Sequence, residues 1–125
     1  MEIFEDGSYI ETVIEKKTSS FSARSTTSTL TGKRTLTYRN SEGSALWTLT
    51  VTGTFTYNGS SATCTKSTVS ATSYNSNWRI SSSSASKLGA TAKATATAKK
   101  YSNGICIKSM TQSVSLTCSK NGTLS

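Results

Sequence analysis

The chain has 125 residues, 34% of them hydrophobic, with no Pro, no His and a formal net charge of +8. That length fits one domain with one modest core. The missing His removes Ser-His and Cys-His nucleophile pairs together with the commonest metal ligand. Charge is uneven: five of the six acids fall in the first fifteen positions, and the fourteen bases from Lys16 onward are opposed by Glu42 alone.

Residues 1–7 read as an acidic lead-in and 8–125 as a single domain. Asp6-Gly7 marks a turn before Ser8 to Lys17, a first strand with Tyr9, Ile10, Val13 and Ile14 to bury, although the spacing of Ile10, Val13 and Ile14 also suits a short helix. Residues 18–32, small and polar around Phe21 and Leu30, hold either another strand or a long loop. Lys33 to Arg39 alternates Leu36 and Tyr38 with Thr35 and Thr37, and Asn40 to Gly43 supplies hairpin chemistry.

Leu46 to Tyr57 is the centre of the chain. Trp47, Leu49, Val51, Phe55 and Tyr57 occupy its odd positions, and its even positions from Thr48 to Thr56 are all Thr. Successive strand residues face opposite sides, so this is a long strand with one apolar face and one hydroxyl face. Asn58-Gly59 predicts a type I′ turn. The next strand, Ser61 to Tyr74, turns Ala62, Cys64, Val69 and Ala71 inward; its parity changes after Lys66, which predicts a bulge there.

Asn75 to Asn77 turn the chain again, and Trp78 opens a strand to Ala85. After Leu88-Gly89, Ala90 to Lys100 places Ala at every even position to Ala98 and Thr or Lys at the odd ones. An Ala face permits close approach, so this strand packs under a large partner such as Trp47 or Trp78. Asn103-Gly104 is a second type I′ signal, Ile105 to Ser119 is the last strand, and Asn121-Gly122 ends it.

Turn signals recurring roughly every 12 to 16 residues predict an all-β, antiparallel two-sheet sandwich, immunoglobulin-like, with a small β-barrel as the alternative. Without Pro, the edges must be guarded by Lys and by bulges. No apolar run approaches the length of a membrane span.

Three cysteines suggest one disulfide and one leftover thiol. Nothing between Cys106 and Cys118 marks a reversal, and in one strand they stand roughly 40 Å apart. The expected disulfide is therefore Cys64–Cys118, with Cys106 unpaired. The other reading is three reduced thiols in a cytosolic protein.

Chemistry is sparse. Glycosidase catalysis needs two carboxyls, and Glu42 stands alone after residue 15. The cysteines lack the CxxC spacing of a zinc site. No catalytic residue, cofactor or metal is expected, and the chain reads as a non-enzyme. A basic body seeks anions, although spaced lysines also serve solubility and edge protection. The aromatic-basic combinations are Tyr38 with Arg39, Trp78 with Arg79, and Lys99 and Lys100 with Tyr101. The expected ligand-binding residues are Lys93, Lys99, Lys100 and Tyr101, with Lys93, Lys99 and Tyr101 in one outward row.

The run LWTLTVTGTFTYNGSSATC, the later NW and the closing VSLTCSKNGTLS resemble small secreted proteins of Gram-positive bacteria, over about residues 33–125. The resemblance implies export and a β-sandwich, and carries no activity or ligand with it. An exported protein would be present here in mature form with an added starting Met, its signal peptide missing. The expected function is a secreted, non-enzymatic binding or surface-associated protein for an anionic cell-wall polymer or glycan. The alternatives are a secreted effector or inhibitor, bacteriocin-like or blocking another protein, and a nucleic-acid-binding module.

Overall fold

The computed structural model describes residues 2–3, 7–20 and 28–125. Its strands are β1 (Glu2–Ile3), β2 (Tyr9–Ser20), β3 (Ser28–Arg39), β4 (Ala45–Tyr57), β5 (Ala62–Ser73), β6 (Trp78–Leu88), β7 (Thr91–Ser102) and β8 (Ile105–Thr117). β1 to β5 form one antiparallel sheet and β6 to β8 a second, each in sequence order. The first segment is thus a strand, and the lead-in contributes β1. Strand also covers 18–20 and 28–32; Phe21 lies outside the described residues.

The two-sheet antiparallel architecture agrees with the sequence reading. The immunoglobulin-like order is corrected: every hydrogen-bonded neighbour is a sequence neighbour, so the chain is a meander. The cause is local. From β3 onward no connection exceeds five residues, which permits hairpins and leaves no long crossover for a Greek key. Nor do the sheets close into a barrel: β5 and β6, joined through the Tyr74–Asn77 connection, share no ladder, and the two sheets stay separate.

The core lies between the sheets. Trp47, Leu49, Val51 and Phe55 of β4 are fully buried, as are Leu30, Leu36 and Tyr38 of β3 beside them. Ala92, Ala94, Ala96 and Ala98 of β7 face them, with Val114 and Leu116 of β8. The sheets approach closely at Gly53, where a Cβ would stand 2.9 Å from the Ala92 Cβ. At this level the Ala row therefore meets a glycine and not a Trp. In β5 one extra residue, Thr65, lies between the partners of Thr54 and Phe55, which is the expected bulge, one residue earlier.

Several expectations fail. Val13 is 51% exposed because it lies on the outer face, and Ile14 is 39% exposed because the three-stranded sheet does not reach over β2. At Asn58-Gly59 only Gly59 has positive φ, and the Asn58 side chain caps a four-residue loop by accepting from Ser60 and Ser61 N–H; only Asn103-Gly104 has positive φ at both positions. No disulfide joins Cys64 to Cys118. Their sulfurs donate instead to local carbonyls, Lys66 and Ser119, each at 3.3 Å.

Candidate functional site

Hydrophobic alternation ends where β7 leaves the core. Beyond Ala98 the next inward residue is Lys100, and register sets it between Trp78 on β6 and Lys108 on β8. One rank of the small sheet's inner face thus reads Trp78, Lys100, Lys108, with neighbouring strands about 4.8 Å apart. This rank forms a wall of an open cavity of about 260 Å³ at the end of the sandwich.

Aromatic packing fixes the cavity's inner end. Tyr38 and Trp78 are buried and meet edge to face at 5.5 Å, and the Tyr38 hydroxyl donates to Ser8 Oγ at 3.0 Å. Both side chains line the cavity without standing clear of it, so they shape its floor and offer no open stacking platform.

Two turns supply the rim. Asn40 Oδ1 accepts the Glu42 and Ser44 N–H groups at 2.9 and 3.0 Å. Asn75 Oδ1 accepts the Asn77 N–H at 2.8 Å, and the Asn77 carbonyl takes the Tyr101 N–H at 2.7 Å, tying this turn to β7. Each of these carboxamides spends its oxygen on its own turn, which leaves its NH₂ group as the remaining polar end. These amino groups and the two lysine ammonium groups are donors around the cavity.

Among the described residues no carboxylate lines it. The ion pairs of the described residues, Glu15 with Lys33 and Glu11 with Arg39, lie on β2 and β3. Residues 78–125 hold seven bases and no acid, so the small sheet carries the molecule's positive field.

The residues singled out from the sequence divide between two faces. Lys93, Lys99 and Tyr101 lie on the outer face of the small sheet, where the Arg79 guanidinium sits 5.4 Å from the Tyr101 ring centre. Lys100 points the other way, into the cavity. Lys108, Asn40 and Asn75 were not anticipated. Counting back from the Asn103-Gly104 turn places Ile107 opposite Lys100; a bulge between Lys100 and Tyr101 moves Lys108 there instead.

The cysteines lie elsewhere. Cys64 N–H donates to the Gly89 carbonyl and Cys118 N–H to the Ala90 carbonyl, so both flank the β6–β7 turn. Burial pushes the Cys64 thiol above its ordinary value of 9.0, outweighing the Lys66 backbone hydrogen bond and the Lys87 charge. Among the described residues no group of three or more His, Cys, Asp or Glu could hold a metal, and no helix is long and apolar enough to cross a membrane. No protein-family model matches the chain, and neither a curated protein nor a solved structure is significantly similar to it.

Proposed function

We propose that the chain is a secreted, non-enzymatic binding protein that takes an anionic group, the phosphate or carboxylate of a wall polymer or glycan, between Lys100 and Lys108. The observation that carries this reading is the pairing of two lysines directly opposite each other on a cavity that no carboxylate of the described residues lines. A phosphate or carboxylate between the two ammonium groups converts their repulsion into two charge-assisted hydrogen bonds. The Asn40 and Asn75 amino groups can donate to the same anion or to hydroxyls of the sugar bearing it.

The outer row of Lys93, Lys99 and Arg79 extends the attraction along a polymer without defining a site. The buried Tyr38 and Trp78 favour a glycan over a nucleic acid, whose bases need open aromatic faces. The Ser/Thr-rich composition, the basic body and the resemblance to exported proteins support secretion.

Equilibrium binding to a labelled anionic wall polymer tests the reading, with a neutral glucan as control. Lys100→Ala with Lys108→Ala should abolish saturable binding at low salt. Lys93→Ala with Lys99→Ala should weaken it and flatten its salt dependence. Equal loss in both double variants would replace the cavity by a diffuse charge effect.

A further inference from the structure

The two sheets differ in width. β7 lies over β4 and β5, β8 over β3 and β4, and β2 touches no strand of the small sheet. Leu124 and Ser125 fill one end of the place beside β8, and the remainder, above β2, is vacant among the described residues.

The polar groups of β8 that face this vacancy can be assigned. Thr117 N–H and C=O pair with Ser125 on that side at 3.0 and 2.9 Å, and the Ser115 carbonyl accepts from Arg34 Nη1 at 3.2 Å. Strand backbones alternate with period two, so Ser113, Thr111 and Ser109 also present their N–H and C=O groups there. Proteins guard such edges with charges, Pro or bulges. Between Ser109 and Thr117 there is no charged residue and no Pro, and the bulge of β8 lies beyond Lys108.

What stands at the vacancy is Arg34. It points inward from β3, with Nη2 3.4 Å from Thr12 Oγ1 and Nε buried without a partner. Ile14 lies beside it, on the inner face of β2 and partly exposed. A buried guanidinium N–H without a partner is costly, and the group that satisfies it best is a carboxylate.

We propose that the β8 edge receives a single extended polypeptide segment of a partner protein, with a carboxylate side chain at Arg34 and apolar side chains flanking it against Ile14. The segment's backbone takes the Ser115 carbonyl from Arg34 and continues along Ser113 and Thr111, and the released guanidinium pairs with the incoming carboxylate. A second copy of the chain does not fit. Pairing β8 with another β8 about a two-fold axis sets both five-stranded sheets on one side, and the overhanging β2 of one copy would run into the other.

The probe is the peptide acetyl-Thr-Val-Thr-Glu-Thr-Val-Thr-amide, whose Val and Glu share one face, with Lys replacing Glu as control. We expect the Glu peptide to bind at least about tenfold more tightly and to protect the Thr111 and Ser113 amides from exchange. Arg34→Gln should make the two peptides equal, and Ser113→Pro should remove binding from a folded protein. Absence of binding, equal binding of both peptides to the parent, or unchanged binding by folded Ser113→Pro would each overturn the proposal. So would a dimer, formed without peptide, that Ser113→Pro dissociates. Should Ser113→Pro not fold, the Arg34→Gln comparison decides.

Discussion

Lys100 and Lys108 face each other across β7 and β8, both pointing between the sheets and both lining the end cavity. Like charges directly opposite on a sheet oppose folding by roughly 0.2–1 kcal/mol. Lys108→Met should therefore stabilise the unliganded protein by about that amount at low salt, and the gain should shrink in high salt as screening takes over. Urea unfolding at two ionic strengths measures it. A loss of stability at low salt would show that Lys108 has a compensating partner.

At Gly53 the two sheets approach closely. A Cβ there would stand 2.6 Å and 2.7 Å from the Phe55 ring and 2.9 Å from the Ala92 Cβ. Gly53→Ala should cost about 1–3 kcal/mol through overpacking. Gly104→Ala meets no atom within 4 Å but must hold φ of +78°, at a cost of about 1–2 kcal/mol. Restoring space with Phe55→Leu should relieve the first variant and leave the second unchanged.

Trp47 is fully buried, and its indole N–H has no partner. Trp47→Ala should cost about 3–5 kcal/mol. Trp47→Phe should cost clearly less, because it keeps most of the volume and removes an unsatisfied donor. Equal losses in thermal unfolding would mean that the N–H is satisfied, for instance by water.

The thiols differ in reach. Cys106 is exposed and Cys64 buried, so iodoacetamide should modify Cys106 first in the native protein. The raised pKa of Cys64 means that the folded state holds its proton more tightly than the unfolded state does. Its contribution to stability is complete below the unfolded value of 9.0 and is lost as pH rises through the higher folded value. Cys64→Ser should reduce the decline in stability above pH 9. An unchanged alkaline profile would assign that decline to other groups.

Strand identity was legible wherever alternation was strict. The odd positions of β4 and the Ala row of β7 gave both the strands and their buried faces. Sheet order was not legible in the same way, because turn residues show that two strands pair but not that the chain changes sheets at Tyr74–Asn77. The disulfide argument separated Cys106 from Cys118 but carried no information on where the Cys64 sulfur points. At the site, Lys100 was recognised as a base, but its direction depends on the Ala row continuing inward for one more step. Lys108 could not be placed from sequence, because a bulge of one residue decides which side chain stands opposite Lys100. Asn40 and Asn75 read as turn formers, which they are; their amino groups become relevant only when two turns distant in sequence meet over one cavity.

Side-chain NMR during titration with methyl phosphate tests the anion site most directly. The account predicts that the Lys100 and Lys108 ammonium signals and the Asn40 and Asn75 amide signals shift together along one saturating curve, while Lys93 and Lys99 drift in proportion to added salt. Lys100→Ala should abolish the saturating component. If all lysines drift together without saturation, or the outer Lys93 and Lys99 saturate first, the cavity is not the anion site.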